Sequence, residues 1–219
     1  MPAFALIMAA GKGQRYGSYK QFIDLNDQVL VCHVINIFGK CKNIKKIILV
    51  VPRKKITYVK KLMKNNGFSY IKVIAGGKRR QDSVYNGLKT LGDRKGIAVV
   101  HDCVRPIIRR STIERGIKLC KKYHAVIMGT PITDTVKLVS SNKVIKTIDR
   151  KHLFLTQTPQ FFDLKILRKA YDTADPMIEY TDEAALLESA GLPVYLFKGD
   201  RLNIKITYRK DLQLISHLL

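Results

Sequence analysis

A mostly parallel α/β sheet covered by helices on both faces is the fold that this 219-residue sequence predicts. Three observations carry it. Apolar, β-branched runs recur at residues 4–8, 46–51, 70–74, 97–100 and 125–129. Segments of helical periodicity lie between them, and the alternation repeats every 20 to 30 residues or so. The first run leads directly into a glycine loop, AAGKGQRYG at residues 9–17, as a strand does on its way to a helix.

The first run, FALIM, is apolar throughout, as expected of a strand buried on both faces. Val31, Val34, Ile35 and Phe38 form one helical stripe, Val84, Leu88 and Leu91 another, and Ile113, Ile117 and Cys120 a third. Residues 134–149 break this rhythm. Val136, Leu138 and Val139 precede Ser140-Ser141-Asn142, and Val144, Ile145 and Ile148 follow, which reads as a β-hairpin. So short a hairpin is marginal alone, so it must lie on its own sheet or on another subunit. Residues 203–207, NIKIT, alternate as a last strand, with Lys205 on the face opposite Ile204 and Ile206. No internal repeat or low-complexity linker interrupts the chain, and a single domain over residues 1–219 is expected, with the hairpin as an arm at about 134–150.

Composition narrows the function classes. Hydrophobic content of 46% is ordinary for a globular protein, and no apolar run reaches the ~18 residues of a membrane span. The apolar residues 3–10 lack a basic leader and run straight into the glycine loop, so they read as a core strand, and a cytoplasmic protein is expected. Cys32, Cys41, Cys103 and Cys120 show no C-x-x-C spacing, and the five histidines are scattered, which argues for packed, reduced thiols and against zinc. The 40 basic against 17 acidic residues raise a nucleic-acid reading. The cations are spread over the whole length without a basic tail or an RNA- or DNA-binding motif, so that reading is the lesser one. Concentrating anionic small molecules is the greater.

The glycine loop carries the chemistry. Glycines leave backbone N–H groups open to close approach, and Lys12, Arg15 and Lys20 add three cations, the combination a polyphosphate needs. It is not a Walker loop, since Gln14 follows Gly13 and no Lys-Ser/Thr pair closes it. Nor is it a dinucleotide fingerprint. Its third glycine, Gly17, comes one residue late, and Val51-Pro52-Arg53 stands where an acidic residue is required.

Ligands of open α/β sheets sit beyond the carboxyl ends of the strands, where further chemistry clusters. Residues 75–83, AGGKRRQDS, form a second glycine turn with cations, although Asp82 reads equally as a helix-start cap. After residues 97–100 comes HDCVRP. Asp102, a carboxylate leaving a buried strand, suits Mg²⁺, and Arg105 offers a fork for phosphate. TPQ at 158–160 and TDEA at 181–184 follow, the latter reading equally as a threonine N-cap with acids in the first turn. Lys205 reads equally as solvent-facing.

AAGKGQRYG…KQ, GGKRRQDSVYNGL, HDCVRP, DTVK, TQTPQ, TDEA and NIKIT together resemble, in order and spacing, the 2-C-methyl-D-erythritol 4-phosphate cytidylyltransferases, over residues 5–212. The resemblance implies a Rossmann-like, three-layer nucleotidyltransferase sheet, use of CTP with Mg²⁺, and a homodimer joined by the projecting hairpin. It implies that Arg15, Lys20, Lys205 and Arg150 are catalytic, Arg150 reaching the partner subunit's substrate phosphate. Ala9, Ala10, Gly11, Gly13, Gly77, Arg80 and Ser83 would form the nucleotide pocket. Asp102, Arg105, Thr135, Thr158 and Thr181 would face methylerythritol phosphate, and Asp102 is the candidate metal ligand. Two positions depart from the family pattern: Leu202 precedes Asn203 where an acid is common, and Lys78 replaces an acid after Gly77. A ribitol 5-phosphate cytidylyltransferase is the nearest rival. SV-x-x-GL at 83–88, Asp149-Arg150 and TDEA favour the methylerythritol enzyme.

Overall fold

The computed structural model describes residues 1–13 and 16–219; Gln14 and Arg15, and with Arg15 one expected catalytic residue, lie outside the described residues. In chain order the strands are β1 (Ala3–Met8), β2 (Asp24–Leu25), β3 (Gln28–Val29), β4 (Ile44–Val51), β5 (Lys72–Ala75), β6 (Ile97–Asp102), β7 (Ala125–Pro131), β8 (Val136–Ser140), β9 (Lys143–Ile148), β10 (Phe154–Asp163) and β11 (Tyr195–Lys198). The helices are α1 (Leu30–Gly39), α2 (Ile56–Asn65), α3 (Arg80–Lys89), α4 (Arg110–Tyr123), α5 (Leu164–Thr173), α6 (Glu183–Ser189) and α7 (Arg209–Leu218).

Seven strands form the main sheet in the order β11-β7-β10-β6-β1-β4-β5. Its pairs are parallel except those of β10, which runs antiparallel to both β6 and β7. Successive side chains of a strand point to opposite faces, and β1 shows both halves of the core. Ala5 and Ile7 pack with Val31, Val34, Ile35 and Phe38 of α1, Val59 and Met63 of α2, and Ile113 and Ile117 of α4. Leu6 and Met8 pack on the other side with Val84 and Leu88 of α3, Leu164 and Leu167 of α5, and Leu186 and Leu187 of α6. The result is the expected three-layer, mostly parallel architecture. A smaller cluster of Tyr16, Leu25, Leu30, Ile206 and Ile215 ties α7 to the segment after the glycine loop.

The hairpin forms where the sequence places it, as a separate two-stranded sheet of β8 and β9. Ser141 and Asn142 take φ of +46° and +66°, the left-handed conformation of a tight hairpin turn. Leu138, Val139, Val144 and Ile145 are each about half exposed, at 46–55%. Among the described residues, no helix is long and apolar enough to cross a membrane.

Three local expectations are corrected. Residues 203–207 form no strand: Ile206 N–H bonds to the Val104 carbonyl at 2.8 Å, and its side chain is buried beside α7, so core packing rather than a ladder creates the alternation. The third apolar run starts pairing only at Lys72, because Ile71 N–H closes a turn onto Phe68 and leaves Tyr70 62% exposed. The cap of α6 is Asp182, whose carboxylate accepts from Ala185 N–H, and Thr181 lies one residue outside it.

Candidate functional site

The register of the sheet assembles the site. Met8 at the end of β1 pairs with both Val50 and Asp102, so the glycine loop leaves the sheet directly beside Asp102. Val51 pairs with Ala75, which brings the second glycine turn to the same edge. A cleft of about 470 Å³ opens there. Ala9, Ala10, Gly11, Lys12, Gly13 and Lys20 line one wall, Gly77, Lys78, Arg80 and Ser83 another, and Asp102 and Lys205 the floor. Apart from Arg15, every residue expected in the nucleotide pocket or at its phosphates is present. Lys78, the departure from the family pattern, also borders it.

Each wall has an internal support. Gln21, only 2% exposed, donates from Nε2 to the carbonyls of Ala9 at 2.7 Å and Gly11 at 3.0 Å. It thereby engages two carbonyls of the loop, whose negative ends would otherwise oppose an anion. Gly13 at φ +65° would push a Cβ into the Ser18 carbonyl, so the loop's bend requires glycine. On the second wall, Gly77 N–H donates to Ser83 Oγ at 3.0 Å, and the hydroxyl in turn donates to the Arg79 carbonyl. Asp82 accepts from Arg79 N–H at 3.0 Å and pairs with its guanidinium at 2.8 Å, so it caps α3 and stays out of the cleft lining.

The floor is a line of alternating charge. Asp102 Oδ2 accepts from Lys205 Nζ at 2.7 Å, while Oδ1 lies 3.5 Å from Arg80 Nε. Burial alone would raise the Asp102 carboxyl; Arg80 and then Lys205 outweigh it and hold it well below the usual carboxylate range. The carboxylate is thus ionised, and Lys205, 40% exposed at its side chain, presents the rest of its ammonium to the cleft. Arg80 in turn meets Glu183, which is 1% exposed, at 2.8 and 2.9 Å.

Behind the floor, His101 is fully buried. Its Nε2 faces the Arg105 carbonyl at 3.1 Å, which can only accept, so Nε2 carries the proton. Burial lowers its pKa to about 4, leaving Nδ1 bare to accept from the Thr158 hydroxyl at 3.1 Å. Thr158 Oγ1 accepts from Asp102 N–H at 2.9 Å. This relay fixes Asp102 and Arg105 together. It also occupies Thr158, 5% exposed, which supports Asp102 rather than lining the cleft. Arg105 donates to the Asn203 carbonyl at 2.8 Å and fastens the 203–207 segment that carries Lys205. Its Nε is buried with no hydrogen-bond partner among the described residues.

Thr135, Thr181 and Arg150 are exposed and do not line the cleft. Arg150 sits at the foot of the hairpin and donates to its own chain's Thr133 carbonyl. Gln21, His101, Asn203 and Glu183 lie within the motifs KQ, HDCVRP, NIKIT and TDEA, but the sequence alone assigns none of them a role in the site. Each is a buried polar side chain, and only burial distinguishes it from an ordinary surface residue. A second cleft, of about 560 Å³, lies at the start of α4 between Arg109, Arg115, Lys198 and Arg201 and holds none of the expected residues.

The cleft offers Mg²⁺ a partial donor set. Among the described residues, no three His, Cys, Asp or Glu side chains cluster as a complete cage. One ionised carboxylate, Asp102, opens into a cationic cleft, and Mg²⁺ characteristically takes one or two carboxylates and completes its shell with phosphate oxygens and water. The residues fit.

The profile of the family "IspD: 2-C-methyl-D-erythritol 4-phosphate cytidylyltransferase" matches residues 3–219. The 2-C-methyl-D-erythritol 4-phosphate cytidylyltransferase of Dictyoglomus thermophilum is 36% identical over 98% of this chain and 95% of its own length. That of Clostridioides difficile is 37% identical over 98% and 92%. The crystal structure of the Francisella tularensis enzyme superposes with a TM-score of 0.84 at 30% identity, covering 100% of both chains. By profile, by sequence and by superposition, the chain belongs to the 2-C-methyl-D-erythritol 4-phosphate cytidylyltransferase family.

Proposed function

We propose that this chain transfers the cytidylyl group of CTP to the phosphate of 2-C-methyl-D-erythritol 4-phosphate, forming 4-diphosphocytidyl-2-C-methyl-D-erythritol and pyrophosphate. One observation carries the reading beyond family membership: the glycine loop, Lys20 and Lys205 converge on one cleft whose floor is the ionised Asp102.

The acceptor's phosphate monoester has a second pKa near ~6, so its oxygen is already a nucleophile at neutral pH. It attacks the α-phosphorus of CTP, the new P–O bond forms, and the bond to the β-phosphate's bridging oxygen breaks. No general base is needed. The obstacle is to hold two anions together and to stabilise charge on the oxygens around the α-phosphorus. Lys20 would sit at the α-phosphate, with Arg15 and Lys205 on the flanking phosphates. The glycine loop and Gly77 would read the nucleotide through backbone groups, with Ala9, Ala10, Arg80 and Ser83 shaping the pocket. Asp102 holds Lys205 in place and would bind Mg²⁺, which when bound supplies charge neutralisation at phosphate oxygens. Arg105 would favour the acceptor's phosphate through the charge of its guanidinium, and Thr158 would act through Asp102.

Thr135 and Arg150 belong to the arm. Because the arm's apolar residues stand half exposed, the active species would be a homodimer in which each arm completes the partner's acceptor site. The four cysteines are buried and unpaired, which fits a reducing compartment, here the cytoplasm.

The test is pyrophosphate release from CTP with Mg²⁺ and each polyol phosphate. Methylerythritol phosphate should support turnover that vanishes on chelation, and ribitol 5-phosphate should be a poor acceptor. Comparable turnover of the two acceptors would sink the assignment.

A further inference from the structure

Arg80 stands between two carboxylates. Its Nη1 is held by both oxygens of Glu183, at 2.8 and 2.9 Å, while its Nε reaches Asp102 only at 3.5 Å. Glu183 is 1% exposed and begins α6, and Tyr171 of α5 donates its hydroxyl to Glu183 Oε1 at 3.2 Å. Arg80 Nη2 is buried and has no hydrogen-bond partner among the described residues, although the side chain borders the cleft. Glu183, Arg80, Asp102 and Lys205 thus alternate in sign across α6, α3, β6 and the 203–207 segment.

We propose that Glu183 is a positioning residue: it draws Arg80 back from Asp102, keeps the Asp102 carboxylate available to the cleft, and holds the exposed part of the Arg80 side chain at the cleft wall that the nucleotide meets. This deepens the cytidylyltransferase reading and rests on it. A guanidinium is a five-donor fork on a flexible stem, and a nearby carboxylate is its preferred bidentate partner. Without Glu183, the fork closes on Asp102. That would neutralise the group that orients Lys205 and would draw the Arg80 side chain from the cleft wall onto the floor. Burying an ion pair is a weak way to stabilise a fold compared with apolar packing. The geometry here has a consequence that packing alone lacks: it divides one cation between two acids.

The experiment is calorimetric titration of CTP, with Mg²⁺ present and no acceptor, into wild type, Glu183→Gln, Arg80→Ala and the double variant. Glutamine keeps the volume and one acceptor but loses the charge. Glu183→Gln should weaken CTP binding about tenfold and raise the Mg²⁺ concentration needed for half-maximal binding, the scale of one lost charged contact. The double variant should bind no worse than Arg80→Ala, since Glu183 acts only through Arg80. A merely structural Glu183 would lower Tm while leaving CTP affinity within about twofold, and that outcome overturns the proposal, as does additivity in the double variant. Should Glu183→Gln fail to fold, Tyr171→Phe removes one of Glu183's hydrogen bonds. CTP binding should then weaken about threefold, and unchanged binding overturns the proposal. A wild type that binds no CTP overturns the nucleotide reading itself, which separates the two failures.

Discussion

Lys205 Nζ donates to Asp102 Oδ2 at 2.7 Å, joining two residues 103 positions apart in the chain. The contact has unequal ends. Lys205 is 40% exposed at its side chain, whereas Asp102 is 11% exposed and is also faced by Arg80. Removing the lysine leaves Asp102 paired, so Lys205→Ala should cost about 1 kcal/mol of stability or less. Removing the acid leaves two cations facing each other in a buried place, and Asp102→Ala should cost about 3 kcal/mol. Both variants should lose most cytidylyl transfer. Thermal unfolding checks the order, and a larger loss of Tm in Lys205→Ala would contradict the assignment of Asp102 as the structural end of the pair.

Lys20 borders the cleft at the end of the glycine-loop wall. Lys20→Ala should lower kcat by about 10²-fold or more, the scale of one transition-state charge contact, with a smaller change in CTP affinity. Weakened CTP binding with kcat intact would show that Lys20 serves only the ground state.

The parts of the site that were legible in the sequence lie where backbone chemistry leaves a mark on residue type. Glycines at a strand exit, as at Gly11, Gly13 and Gly77, announce a close approach, and Asp102 announces itself by ending an apolar run. The parts that were not legible depend on long-range packing. Lys205 alternates like a strand residue whether it faces water or Asp102, and only its link to the floor, through Arg105 and the Asn203 carbonyl, decides the matter. β10 escaped the periodicity because Thr156, Gln157 and Thr158 are polar; they are tolerated within its span because Asn203 Nδ2 and Asp102 N–H bond to that stretch. The tyrosine-bearing helix α5 likewise looks like surface sequence until the second core face closes over it, and Glu183 reads as a first-turn acid until Arg80 is seen to meet it in a buried place.

The two glycine turns touch, and this gives a steric prediction. A Cβ on Gly76 would lie 2.6 Å from Ala10 Cβ and 2.8 Å from Ser83 Oγ, closer than real atoms approach. Gly76→Ala should therefore spread the two walls of the cleft, costing about 1–3 kcal/mol of stability and weakening CTP binding. Denaturant unfolding and CTP titration measure the two effects. Unchanged CTP affinity would show that the walls yield without moving the nucleotide's backbone contacts.

No acidic residue occurs between Asp27 and Asp82, so the β4–α2–β5 side of the sheet, whose second glycine turn enters the cleft, is uniformly cationic. Both proposed substrates are multiply anionic, and such a field speeds their encounter through attraction that salt screens. The value of kcat/KM for CTP should fall several-fold between about 0.02 and 0.3 M KCl, with a smaller change in kcat. A flat kcat/KM across that range would assign the charge no part in capture.

The arm supplies the strictest prediction about assembly. Arg150 lies at the foot of the hairpin and outside the cleft, and the hairpin's apolar residues are about half exposed in the single chain. If each arm serves the partner's site, Lys20→Ala and Arg150→Ala chains, each nearly inactive alone, should complement on mixing. Random exchange makes about half of the dimers mixed, and one of the two sites in each mixed dimer keeps both residues, so about a quarter of wild-type activity should return. The other site of the mixed dimer loses both residues and contributes nothing. If Arg150 instead acts on its own chain's cleft, each site in the mixture lacks one of the two residues, and mixing restores nothing. Mass spectrometry of differently tagged chains establishes that exchange has occurred. Exchange without recovery would therefore place Arg150 in its own subunit's site or in none, and the arm would be left as a device for dimerisation alone.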